Sequence, residues 1–113
     1  MADNGTRVKA ADDPIVYVVL EGKRRALNEA SYLNIFNDWE GIVETDVNGI
    51  EDGGAIQDGY IGNANGESYL VADTVKYRIN GNATAEQLNL KVTAPRALSA
   101  EDAGRLSDGP QLG

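Results

Sequence analysis

Seven carboxylates crowd the segment 38–58: Asp38, Glu40, Glu44, Asp46, Glu51, Asp52 and Asp58. At that density two of them could act as an acid–base pair on a glycosidic or related bond, or several could ligate calcium. A hydrolytic pair requires one carboxyl in apolar surroundings and one in water, so that their proton affinities separate. Nothing in the flanking residues builds an apolar pocket for any of the seven. The stretch Asp46-Val47-Asn48-Gly49-Ile50-Glu51-Asp52 opens like a calcium loop, but Ile50 occupies the third ligand position and Gly49 comes early. The chain has no His and no Cys, which removes the usual base near neutral pH, the thiolate nucleophile and the commonest zinc ligands. The expectation is solvated turn acids, with no catalytic residue, no metal site and no cofactor; a carboxylate-pair hydrolase stands as a third reading.

The cations and aromatics offer binding chemistry instead. Lys23, Arg24, Arg25, Lys76 and Arg78 form a basic stripe that could hold an anionic glycan or a partner's acids, or could protect strand edges and pair internally. Trp39, Tyr60, Tyr69 and Tyr77 are candidate stacking or interface residues, since aromatics with a polar tip favour such surfaces. Tyr17 and Tyr69 open similar apolar strands and are expected in the core. The net charge is −8, and the 50 residues between Arg25 and Lys76 carry ten acids and no Lys or Arg. Such a surface repels phosphate backbones, so nucleic acid is not an expected partner. It reads as a solvated acidic face, or as a docking face for a basic partner. The longest apolar run, Ile15 to Leu20, has six residues, too few to span a membrane. The stretch Met1 to Thr6 lacks the apolar region of a signal peptide.

These residues sit on a pattern that occurs twice. Tyr17-Val18-Val19 is followed by Leu27 ten residues after its tyrosine, and Tyr69-Leu70-Val71 by Ile79 at the same distance. Phe36-Asn37 and Leu88-Asn89 follow nine residues later, and the halves close on Asp52-Gly53 and Asp108-Gly109. Shared apolar spacing implies a repeated structural unit. The expected organisation is one domain over 1–113 made of repeats 4–57 and 58–113.

Within each repeat the pattern predicts a short first strand, Gly5–Val8 matched by Gly59–Ile61, with Val8 equivalent to Ile61. A hairpin follows, Ile15–Leu20 with Arg24–Leu27 and Ser68–Ala72 with Lys76–Ile79, turning at Glu21-Gly22-Lys23 and Asp73-Thr74. Next come helices over Glu29–Phe36, capped by Asn28, and Ala85–Leu90, opened by a Thr84/Gln87 capping box. Tyr32 and Phe36 share the packed face. Extended pieces are expected at Gly41–Thr45 and Lys91–Ala94, then helical turns near Val47–Glu51 and Ala100–Leu106, the latter capped by Ser99. Gly53 and Gly109 would end those turns in the left-handed region. Four extra residues of the second repeat are placed in the loop at Pro95. The fold class is α+β: two small antiparallel meanders with short helices, packed with pseudo-twofold symmetry.

The stretches Val16 to Leu27 and Ser31 to Ile42, with the closing Asp108-Gly109-Pro110, resemble a short tandem repeat of bacterial surface-associated or exported proteins. That repeat runs strand, Gly-Lys-Arg hairpin, aromatic helix, Trp and Gly-Pro ending. The resemblance implies a surface or exported setting and a non-catalytic module, and carries no assigned activity. Asn28 stands where the pattern has Pro, and the second repeat lacks its Trp. The expected function is therefore a structural or protein-interaction module that associates with itself or docks another protein. A lectin-like carbohydrate-binding module is the alternative.

Overall fold

The computed structural model describes residues 3–113; Met1 and Ala2, part of the N-terminal stretch read above for a leader, lie outside the described residues. Both halves reverse direction at residues whose backbone enters the left-handed region. β2 (Tyr17–Leu20) and β3 (Lys23–Ala26) join through Glu21 and Gly22, at φ 55 and 76. These values fit the two-residue turn whose twist matches that of paired strands. β7 (Glu67–Ala72) and β8 (Val75–Arg78) join through Asp73-Thr74, with Asp73 at φ 54.

β1 (Arg7–Lys9) and β6 (Gly59–Ala64) lie antiparallel beside β2 and β7. The edges are parallel two-residue strands: β4 (Val43–Glu44) and β5 (Glu51–Asp52) in the first sheet, β9 (Arg96–Ala97) and β10 (Ser107–Asp108) in the second. The strand orders are β4-β1-β2-β3-β5 and β9-β6-β7-β8-β10. Each strand thus has a topological counterpart five places on in the chain, with the same neighbours and the same sense. Three short helices complete an α+β fold of two mixed five-stranded sheets: α1 (Glu29–Ile35), α2 (Gly81–Gln87) and α3 (Ala100–Arg105). A 3-10 turn at Val47–Gly49 stands where α3 stands in the other half.

Local chemistry explains most of these elements. Asn28 Oδ1 accepts from Ser31 N at 2.7 Å and Ser99 Oγ from Asp102 N at 3.0 Å, so α1 and α3 begin at side-chain caps. α2 does not begin as expected. Asn80 makes a three-residue turn, Gly81 N donating to Ile79 O at 2.9 Å, and the helix starts at Gly81. Thr84 consequently lies inside the helix, buried, rather than capping it.

Register corrects three further expectations. Val8 faces Tyr17, whereas Ile61 faces Leu70 and Gly62 faces Tyr69, so the counterpart of Val8 is Gly62 and that of Ile61 is Arg7. One residue of slip changes the face a side chain points to, and Val8 and Ile61 indeed join different apolar clusters. Lys91–Ala94 is a turn, and the second edge strand falls after Pro95 at Arg96–Ala97. Lys23 and Val75 are 52 residues apart, Val43 and Arg96 53, Glu51 and Ser107 56. Three of the four extra residues therefore lengthen a 3-10 turn into α3, and one precedes β9.

Gly53 and Gly109 do not cap a helix in the left-handed region; neither has positive φ. They follow β5 and β10, where their N–H groups donate to Arg24 O and Lys76 O, both at 2.9 Å. A Cβ on Gly53 would meet Arg25 Cδ at 2.7 Å, and one on Gly109 would run into the Tyr77 ring. The requirement is close approach, not backbone freedom.

The main apolar cluster draws on both halves, with Val18, Leu20, Ile35 and Phe36 packed alongside Ile61, Leu70, Tyr77 and Leu112. Contacts between the halves come in crossed pairs. Gly59 lies against Ser31 and Ile35 of α1, and Gly5 against Leu88 at the end of α2. Arg25 pairs with Asp73 at 3.5 Å, and Tyr77 Oη donates to Glu21 Oε2 at 2.8 Å. Among the described residues no helix is long and apolar enough to cross a membrane.

Candidate functional site

An arginine in the sheet is the key to the only tryptophan. Arg7 of β1 is 6% exposed, and one guanidinium nitrogen donates to Tyr32 Oη at 2.8 Å and to Asp38 O at 3.2 Å. The other terminal nitrogen donates to Glu40 O at 2.6 Å, and the group lies 5.0 Å over the Phe36 ring. Tyr32 Oη itself donates to Asp38 O at 2.6 Å. Burying a guanidinium is unfavourable unless its donors are satisfied, and here they are met by carbonyls and a hydroxyl. Those carbonyls belong to the residues on either side of Trp39.

The loop is therefore pinned on both sides of the indole. Trp39 stacks on Tyr32 with ring centroids 3.8 Å apart and planes 4° from parallel, yet remains 52% exposed. Tyr32 packs in turn on Phe36 at 5.1 Å, as expected of one helix face. Asp38 braces the loop, its Oδ1 accepting from Glu40 N at 2.9 Å and from Asn89 Nδ2 at 2.7 Å. The Glu40 N–H, then the Asn89 amide and the Arg7 charge, hold the Asp38 carboxyl below the usual carboxylate range.

Beside Trp39 runs an open groove of ≈ 450 Å³, lined by Pro14, Ile15, Val16, Leu27, Tyr32 and Trp39 together with Asn28 and Glu29. Its size lies in the range, about 300–1,000 Å³, of sites that accept small ligands or a few side chains. Ile15 is exposed, like Trp39. Of the polar groups in its lining, Asn28 is engaged, capping α1 and donating its amide to Gln57 O at 3.2 Å, whereas the exposed Glu29 carboxylate is not. Asp13 Oδ1 accepts from Ile15 N at 2.9 Å. Arg7 escapes sequence reading because one cation in a three-residue strand carries no signature. Only its register opposite Val18, where the other half has Ile61 opposite Leu70, marks it out.

The remaining candidates are placed elsewhere. Tyr77 is in the core, 1% exposed, and burial together with Glu21 pushes its hydroxyl well above its ordinary value. Tyr60 is buried at 9% exposure under Arg96, whose guanidinium lies 3.8 Å from the ring centre. Tyr17 and Tyr69 are half-buried beneath cations, Arg24 at 5.3 Å and Lys76 at 5.9 Å, Tyr17 packing against the smaller apolar cluster of Val8, Val19 and Val47. Arg24 also reaches Val47 O at 3.1 Å and Asp52 at 3.9 Å; Lys76 reaches Ala103 O at 3.1 Å and Asp108 at 2.8 Å. Arg25 donates to Gly54 O at 2.7 Å, and Arg78 pairs with Glu67 and with Gln111 at 2.6 Å. The stripe is thus occupied by the molecule's own acceptors. β3 and β8, which carry it, are interior strands and not edges.

The seven acids of segment 38–58 do not converge. Asp46 accepts from Asn48 N at 3.1 Å and Asp52 from Gly54 N at 2.9 Å, both as turn residues. Among the described residues no group of three or more acids is arranged to hold a metal ion. Comparison with protein-family models, with curated proteins and with solved structures finds no match.

Proposed function

We propose that the chain is a non-catalytic protein-interaction module whose docking surface is the Trp39 groove, and that it is one domain of two repeats, 4–57 and 58–113, packed about a pseudo-twofold. The observation that carries the functional reading is the fixed yet half-open Trp39. A large aromatic held at the surface by a buried Arg exposes apolar area without the ordering cost a free loop would meet on binding. Aromatic anchors presented beside a pocket are what interfaces concentrate their affinity in.

The duplicated-unit reading rests on the matching strand orders and the crossed contacts between halves. Self-association through strand edges has less support. All four edge strands are two residues long and three of them carry an acid, features that discourage edge pairing. Sugar stacking on Trp39 is the second reading, and the commitment of Asn28 and Asp38 to backbone and amide groups leaves few partners for sugar hydroxyls.

Trp39 is the sole tryptophan, so its emission reports on the groove. Pooled random peptides should shift that emission and a panel of saccharides should leave it unmoved. The reverse pattern would replace docking by glycan binding, and silence from both would remove the groove as the working surface. Light scattering over a wide concentration range should give the mass of one chain; a dimer abolished by Trp39→Ala would make the partner a second copy.

A further inference from the structure

Resting on the docking reading, we infer that the groove's partner is a protein segment combining apolar side chains with Lys or Arg. The groove supplies the first half of that description. Pro14, Ile15, Val16 and Leu27 face a ligand with aliphatic carbon only, and Trp39 adds an aromatic face. Such walls accept aliphatic or prolyl side chains, and Asn28 and Glu29 are the polar residues that line the groove beside them.

The rim supplies the second half. Asp12 and Asp13 immediately precede Pro14, Glu29 borders the groove, and Asp38 and Glu40 flank Trp39. Among the described residues none of these five acids forms an ion pair with Lys or Arg, whereas Glu51, Asp52, Asp58, Glu67, Asp73 and Asp108 all do. Two cations lie near these acids: Arg7 is buried and directed at carbonyls, its charge also acting on Asp38, and Lys9, three residues before Asp12, donates to Ala10 O at 2.9 Å. Five acids against these two cations leave the groove in net negative potential, which attracts cationic segments and repels acidic ones.

A second copy of this chain fits that requirement poorly. It carries a charge of −8, and of its described Lys and Arg residues most are already paired with its own acids. Glycans lack the apolar content the walls select. A basic, apolar segment of a different protein satisfies both halves.

Two libraries of nine-residue peptides with identical Leu, Ile and Pro content, one bearing Lys and Arg and the other Asp and Glu, test this through Trp39 emission at low ionic strength. The basic library should bind about tenfold more tightly or better, from several rim charges each contributing a fraction of a kcal/mol. The preference should shrink at physiological salt. It should also fall in the double variant Glu29→Lys, Glu40→Lys, whose exposed side chains make no described internal contact and whose Trp39 probe is intact. Equal binding of both libraries, or a preference indifferent to salt and to the charge reversal, would overturn the basic partner while leaving peptide docking in place. Binding of neither library would overturn both.

Discussion

Arg7 and Ile61 occupy the same place in two sheets of the same strand order, yet they do opposite things. Ile61 fills the shared apolar core near α1, as a strand residue facing a helix should. Arg7 in the matching position reaches past Phe36 to tie down the loop that carries Trp39. Tyr32 of α1 is replaced by Thr84 in α2, and the position of Trp39, three residues past the helix cap, by Lys91. Lys91 turns to the other half: its N–H donates to Ile35 O at 2.7 Å, closing the end of α1. One half has a held aromatic platform, and the other uses the same positions to brace the first. Equal topology does not imply equal roles, and the difference lies in three side chains.

The contrast breaks most sharply at Ile61. Ile61→Arg puts a guanidinium into a site without the carbonyls that surround Arg7, and should destabilise by about 4 kcal/mol or more in urea titration. A loss under about 1 kcal/mol would mean the two sites are interchangeable. Arg7→Met keeps the bulk but removes the guanidinium bonds to Asp38 O and Glu40 O, leaving those of Tyr32 and Asn89 to Asp38, at an expected cost of about 2–3 kcal/mol. Its Trp39 emission should also move towards that of tryptophan free in water.

The paired glycines sharpen the same comparison in another region. Gly109→Ala meets the buried Tyr77 ring and should cost about 1–3 kcal/mol by thermal or urea unfolding. Gly53→Ala meets the Arg25 stem at 2.7 Å, which can shift, and the Lys23 Cβ at 2.9 Å, which moves only with its strand; lacking the closer clash with a rigid ring, it should cost less. An equal loss at both would contradict that assignment. The smallest effect belongs to Asp38. Its folded value lies below the ordinary 3.8, so its bracing is fully present above that pH and is lost as the pH falls further, through the folded value. Trp39 emission should change there in the parent and not in Asp38→Asn.

Much of the architecture was legible because it depends on local signals. Asn28 and Ser99 announced their helices as caps, Glu21-Gly22 announced its hairpin, and the recurrence of Tyr17 and Tyr69 located matching strands. What failed depended on contacts distant in sequence. Val8 and Ile61 look alike as residues, but strand register sets which face each meets. Thr84 has the form of a cap, but Gly81 starts the helix three residues earlier. Gly53 and Gly109 resemble helix stops, although what they need is room beside β3 and β8. Trp39 was legible as a candidate contact residue; that Arg7 and Tyr32 hold it in place was not, since the three come together only when β1 lies against α1.

The central claim is that Arg7 holds Trp39 rigid while leaving it exposed. Time-resolved fluorescence anisotropy of the single tryptophan, in the parent protein and in Arg7→Met, addresses it directly. The account predicts a decay dominated by overall tumbling in the parent, with a fast local component appearing only in the variant. A fast component of equal amplitude in both proteins would show that the indole swings freely and that Arg7 holds nothing.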